Sequence, residues 1–455
     1  MSSSLPRAAR RAVAFCAAFA VAALVALRPV MAQSLLRDAE IEAFLDDYSL
    51  PIFRVAGLPA EEINILLIGD QTPNAFAGGL NMGIHTGLLT TADTPNQIEG
   101  VIAHEAGHIK LKHTVRSDEA IAAATRPIYL SLLLAAGAVA AGAPQAGIGL
   151  LGLGQNIGLA NVLKYSRGQE SSADQSAITA LDRVGHSSKG LIEFFSKLRN
   201  YQVNTGFRVN PYLQTHPLAN QRITALPTRA QNSPYYDVED SPEEIHRLRM
   251  IQAKIHGFLD NPQDALQRYP PEQETDPARY ARAVAYFRMS QIDKGLAEID
   301  ALLEKHPENA YFHELKGQML FEFGRVEESI QPHRRSVQLQ PDEALFQVNL
   351  GRAYFATEDK SKYPSALGHL KASLLEEPHN SLAWFEMSRV YGAMGDEPRA
   401  YLARAEASYH AGDIVGANQS ARRALRGLDR NTPDAQRAQD ILLAVEAAAE
   451  RRSRR

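Results

Sequence analysis

Two histidines four residues apart, His104 and His108, enclose Glu105, Ala106 and Gly107. On a helix this spacing puts both imidazoles on one face, one turn above the other. Held that way they can take adjacent corners of a zinc tetrahedron. Zinc lowers the pKa of a water, and Glu105 stands where it can accept that proton and pass it on to a leaving amine. Gly107, without a side chain, lets a neighbouring backbone come close. A five-residue pattern can be accidental in a chain with 14 histidines, so the other donors decide its weight. Glu170 and Asp174 are a second pair four apart, on a stretch that reads as a helix leading to Leu181. Glu170 can supply the third protein ligand as a carboxylate oxygen. Asp174, one turn on, can accept a hydrogen bond from a ligand histidine and fix its tautomer. His113 is nine residues past His104, about 180° around the same helix, so it is expected to point away and serve structure only.

His216, followed by Pro217, has two readings. One is a turn at a helix start; the other is an imidazole near the metal, either donating to the oxyanion or filling the open position as a gate. Arg222 would anchor that loop or stabilise the same charge. The strand around Asn81 to His85 is expected to offer an edge on which substrate adds as a strand; His85 itself has no supporting partner in the sequence and is left outside the site.

The elements that must position these groups come from the surrounding pattern. Ile63–Ile68, Asn74–Gly79 and Met82–Leu89 read as two or three strands of a small sheet. Thr94-Pro95 starts the helix that carries His104 and runs to about His113. Residues 128–163 are apolar and rich in Ala, Gly and Leu. Their uninterrupted part, about 14 residues, is short of the roughly 20 needed to span a bilayer. Two readings stand: a buried helical hairpin, or a mobile or membrane-contacting lid near the site. Residues 1–32 read as a signal peptide, with Arg7, Arg10 and Arg11 before an apolar run and Val30-Met31-Ala32 as the cleavage site. Cys16, the single cysteine, lies inside it, so the exported chain has no disulfide. Loss of Arg7, Arg10, Arg11 and Arg28 moves the formal charge from −4 to −8, and no basic face suggests nucleic-acid binding.

Beyond the proline-punctuated connector at 229–275 the chain repeats. Pro307, Pro341 and Pro378 end helices at spacings of 34 and 37 residues, the longer one taking an insertion near Lys360–Pro364. Gly317 and Gly351 then align, as do Tyr286, Leu320, Tyr354 and Tyr391, with Gly324 and Gly395 at turns between helices. A further unit begins near Ser381 with Trp384, and a weaker one centres on Gly412. This is the 34-residue tetratricopeptide pattern of paired antiparallel helices, stacked into a curved array.

Asn74–Ala77, Thr86–Leu89, His104–His108 with His113, Glu170–Asp174, and Thr215-His216-Pro217-Leu218 followed by Arg222-Ile223 together resemble the M48 metallopeptidases. The resemblance covers about residues 35–228. A signal peptide and C-terminal tetratricopeptide repeats make the chain similar to the periplasmic β-barrel assembly-enhancing group of that family. It implies one zinc per chain on His104, His108 and Glu170, with Glu105 as general base. It also implies a periplasmic endopeptidase that assembles or degrades outer-membrane proteins. The expected fold is an α-rich α+β zincin-like metallopeptidase domain (33–228), the helical connector (229–275), an all-α tetratricopeptide solenoid (276–430), and a C-terminal helix with a basic tail (431–455). Expected partners are misfolded or stalled exported proteins and, through the repeats, the outer-membrane assembly machinery. A peripheral membrane contact would run through 128–163. The rival expectation is a chaperone or adaptor working mainly through its repeats, with a largely latent protease.

Overall fold

The structure, a computed structural model, describes residues 35–113, 166–204, 212, 216–217 and 220–453. The signal segment 1–32 and the apolar stretch 128–163 lie outside the described residues. None of the described helices is long and apolar enough to cross a membrane.

The N-terminal part is built on a four-stranded sheet of β1 (Leu35–Leu36), β2 (Asn64–Ile68), β3 (Ala75–Gly78) and β4 (Asn81–His85), in the order β1-β2-β4-β3. β2 and β4 are parallel, with Leu66 opposite Gly83; β1 and β3 add antiparallel at the two edges. Among the described residues the edge strand next to α3 is therefore β3, and β4, expected to offer an edge, lies inside the sheet. Met82 and Ile84 are buried in the core, as a central strand requires. The strand expected to continue to Leu89 stops at His85, and α2 (Thr86–Thr91) follows. The Thr86 hydroxyl (3.0 Å) and the Gly87 N–H (2.8 Å) both donate to the Asp70 carbonyl and turn the chain. A Cβ on Gly87 would lie 2.2 Å from the Gln71 carbonyl oxygen, so only glycine fits there.

α1 (Ala39–Ala56) starts at Asp38, whose side chain accepts from the Ile41 N–H, and ends at Gly57 with φ 76°. α3 (Pro95–Lys110) has proline at its first position and buries nearly every residue from Gln97 to Ile109. It ends three residues short of His113. α4 (166–184) and α5 (Lys189–Asn204) pack on it, and α6 (Asn220–Ala230) packs on α5. Two glycines set the spacing: a Cβ on Gly100 would meet the Leu191 backbone at 2.8 Å, and one on Gly107 would meet the Ala173 carbonyl oxygen at 2.9 Å and Cα at 3.0 Å. Alanine normally improves a helix interior by up to about 1 kcal/mol over glycine. At Gly107 the crowded partner is backbone, and overpacking costs about 1–3 kcal/mol, so Gly107→Ala is expected to destabilise. Thermal unfolding with and without metal checks this; a more stable variant with unchanged metal binding would contradict the packing account.

α7 (Pro242–Leu259) is opened by a capping box of Ser241 and Glu244, and α8 (Pro262–Arg268) follows it. α7 has two buried faces. Leu248, Ile251 and Ile255 join the core of the sheet and α3, whereas Met250 and Ala253 join the core of the first repeat. Between the two parts the Lys254 ammonium is buried against Asp38 (2.8 Å) and Glu40 (3.1 Å), and the Tyr280 hydroxyl donates to Glu40 at 2.6 Å. Arg37 reaches further along the repeats to Glu377 at 2.6 Å.

The repeats run through α9 (Asp276–Arg288), α10 (Ile292–Lys305), α11 (Ala310–Glu322), α12 (Val326–Leu339), α13 (Ala344–Ala356), α14 (Tyr363–Glu376), α15 (Ser381–Ala393), α16 (Glu397–His410), α17 (Ile414–Gly427) and α18 (Pro433–Ser453). Pro307, Pro341 and Pro378 each stand two residues past a helix end, where proline cannot continue the helix. Gly324, Gly395 and Gly412 turn the chain with φ of 75°, 81° and 78°. The insertion forms a 3₁₀ turn at Lys360–Lys362. Tyr286, Leu320, Tyr354 and Tyr391 all fall two residues before the end of their helices. Gly317 and Gly351 let α12 and α14 approach: a Cβ would sit 2.6 Å from the His333 ring and 2.9 Å from Leu370.

Candidate metal centre

The two i,i+4 pairs meet across the close α3–α4 contact that Gly107 permits. His104 is fully buried, and His108, Glu170 and His216 are buried around it. His104 Nε2 lies 3.1 Å from His108 Nε2, 3.4 Å from Glu170 Oε2 and 3.4 Å from His216 Nδ1. His108 Nε2 is 3.4 Å from Glu170 Oε1, and His216 Nδ1 is 3.2 Å from both Glu170 oxygens. Four donors at about 2.05 Å from a tetrahedral ion would stand about 3.3 Å apart, which these separations match. Among the described residues these four form the group that could hold a metal ion.

The chemistry of the donors fits as well. His104 Nδ1 is 3.0 Å from Asp174 Oδ1, so the carboxylate favours the tautomer with the proton on Nδ1 and leaves the Nε2 lone pair for the centre. Glu105, Glu170, Asp174 and Arg222 are all buried and carry a formal charge of −2 with neutral imidazoles, which a divalent cation cancels. Burial disfavours a charged His104, but the hydrogen bonds to Asp174 and Glu170 prevail and raise it to about 9. Burial and then the neighbouring His104 push His108 down to about 2. Glu170 is held far below the usual carboxylate range: burial opposes this, and its hydrogen bonds to His104 and His216 prevail.

Arg222 grips Asp174 with two parallel bonds, Nε to Oδ2 at 2.7 Å and Nη2 to Oδ1 at 2.8 Å. Its Nη1 lies 2.9 Å from Glu170 Oε2 and donates to the Pro217 carbonyl at 3.1 Å. It thus ties the loop after His216 to the two carboxylates. Glu105 is fully buried beside the ring of donors: Oε1 lies 3.5 Å from His216 Nε2, and Oε2 has no hydrogen-bond partner among the described residues.

His113 departs from expectation. α3 ends at Lys110, Lys112 takes a positive φ of 54°, and the chain curls back so that His113 Nδ1 comes 3.0 Å from His108 Nδ1. The angular argument assumed a helix that had already ended. Two aromatic neighbours also went unread in the sequence. Phe195 stands edge-on to His104 at 5.7 Å, and Tyr212 stacks on His216 at 4.6 Å. The Tyr212 hydroxyl is 3.4 Å from Glu105 Oε1. Burial, then Glu105 and Glu170, push that hydroxyl well above its usual pKa, leaving it a neutral donor. Tyr212 precedes His216 by four residues, the spacing already seen in the His104/His108 and Glu170/Asp174 pairs, and that was the one available signal.

Residues 35–230 match peptidase family M48, and residues 280–344 match a tetratricopeptide repeat family. The chain is 26% identical over 288 residues to the putative beta-barrel assembly-enhancing protease of Vibrio cholerae, covering 62% of this chain and 58% of that one. It is 24% identical over 388 residues to the beta-barrel assembly-enhancing protease of Escherichia coli K12, covering 84% and 78%. A shorter relative, the E. coli metalloprotease YcaL, is 30% identical over 168 residues, 36% of this chain and 60% of that one. Residues 35–230, which match peptidase family M48, thus hold a buried His/Glu cluster able to bind a metal ion, and a segment matching tetratricopeptide repeats follows them.

Proposed function

We propose that this chain is a periplasmic zinc endopeptidase acting in the assembly or degradation of outer-membrane proteins, with zinc held by His104, His108 and Glu170. The observation that carries the reading is the set of donor separations of 3.1–3.4 Å around one buried point with Glu105 beside it. Bound zinc supplies Lewis acidity, polarising the scissile carbonyl and lowering the pKa of a water. Glu105, through its unpartnered Oε2, takes the proton from the attacking water and returns it to the departing amine nitrogen. Asp174 holds the tautomer of His104, and Arg222 holds Asp174 and the His216 loop in turn. His216 fills the fourth place in the resting arrangement and must swing aside for a substrate carbonyl, which makes it a gate. The β3 edge takes the substrate backbone as an added strand.

The repeats recruit protein partners, and the outer-membrane assembly machinery is the partner suggested by relatives named for enhancing β-barrel assembly. The division at 33–228, 229–275, 276–430 and 431–455, the cleaved leader, and peripheral membrane contact through 128–163 belong to the same proposal. A role resting mainly on the repeats is disfavoured by the match of residues 35–230 to a peptidase family and by relatives named as proteases.

Metal analysis of the purified protein tests the central point. About one zinc per chain is expected, lost in His104→Ala, and stripping it with a chelator should lower the unfolding temperature. A folded, active wild type without metal would refute the reading.

A further inference from the structure

Tyr212 is fully buried between the rings of the metal centre. Its ring stacks on His216 with centroids 4.6 Å apart and planes 27° from parallel. Phe195 leans on it with centroids 6.0 Å apart and planes 38° from parallel, and Phe195 in turn stands perpendicular to His104. The His216 N–H donates to the Tyr212 carbonyl at 2.7 Å, so backbone and ring fix the same residue. The hydroxyl, 3.4 Å from Glu105 Oε1, joins the carboxylate that His216 Nε2 faces at 3.5 Å. One side chain therefore touches both the fourth donor and the carboxylate beside the metal.

We propose that Tyr212 is a positioning residue that latches His216 in the fourth place, so that its ring sets how often the centre opens. The proposal rests on the reading of His216 as the fourth donor. For His216 to swing away it must leave a stacked, desolvated face. An aromatic pair of this kind is enough to shift the open–closed balance several-fold, to about tenfold. The ring acts on His216 and the hydroxyl on Glu105, so the two contributions separate by substitution.

The experiment follows zinc transfer from the full-length, zinc-loaded protein to a coloured chelator, a readout independent of peptidase activity. His216→Ala should release zinc faster than wild type. Tyr212→Leu should release it about tenfold faster, and Tyr212→Phe, which keeps the ring, should stay within about twofold of wild type. In the His216→Ala background Tyr212→Leu should add nothing further. Thermal unfolding verifies each variant; if Tyr212→Leu fails to fold, Tyr212→Met carries the same comparison. Wild-type release from the leucine or methionine variant overturns the latch, as does a full additional acceleration on top of His216→Ala. Unchanged release from His216→Ala alone removes the fourth-donor reading and the latch with it, an outcome distinct from failure of Tyr212 alone.

Discussion

Glu105→Gln is expected to abolish peptide-bond hydrolysis, by about 10²–10⁴-fold in kcat, while zinc content and unfolding temperature stay near wild type. The carboxylate is fully buried, lies outside the four donors and has one oxygen without a partner among the described residues. The amide keeps the volume and an oxygen that can still accept from Tyr212, but it cannot take up a proton. A casein or unfolded-protein digestion assay, run beside metal analysis, reads both halves of the expectation. Residual activity near wild type would remove Glu105 from the base role. Loss of zinc would mean that it helps bind the ion.

Asp174→Ala is expected to be the most damaging single change away from the ligands themselves. Asp174 accepts both bonds of the Arg222 fork and lies 3.0 Å from His104 Nδ1. Removing it leaves a buried guanidinium short of a partner, a loss of about 3–5 kcal/mol. It also frees the imidazole to rotate or change tautomer, which lowers metal affinity by about 10–100-fold. Paired with Arg222→Leu, the double variant should recover part of the stability, because no buried charge is stranded, though not the affinity. Urea unfolding and zinc titration separate the two effects. A loss below about 1 kcal/mol with unchanged affinity would contradict this account.

What could be read in advance follows from how locally each feature is encoded. The two i,i+4 pairs were legible because helical periodicity brings i and i+4 together within a single turn, whatever the rest of the chain does. The repeats were legible for a related reason: Pro307, Pro341 and Pro378 mark helix ends at nearly constant spacing, and the insertion that breaks it is itself a turn at Lys360–Lys362. The errors fall where one segment is governed by another distant in sequence or by a chain reversal. His113 was placed by extrapolating a helix past its end. The strand expected to run to Leu89 is cut short by the Asp70 carbonyl, fifteen residues before the end of β4. β4 was taken for an edge because nothing in its own residues shows that β3 pairs outside it. Tyr212 was invisible because an aromatic residue near a histidine is ordinary until the fold stacks the two.

The connector helix α7 has a consequence for how this chain can be taken apart. It contributes Leu248, Ile251 and Ile255 to one core and Met250 and Ala253 to the next, with Lys254 sealed between them by carboxylates from the first part. A cut before it strips the N-terminal half of three core side chains and parts Lys254 from Asp38 and Glu40. A cut after it strips the first repeat of its cover and takes Tyr280 away from Glu40. Neither fragment inherits a finished surface, so the two halves cannot be traded between relatives like independent cassettes; α7 and both of its faces would have to travel together.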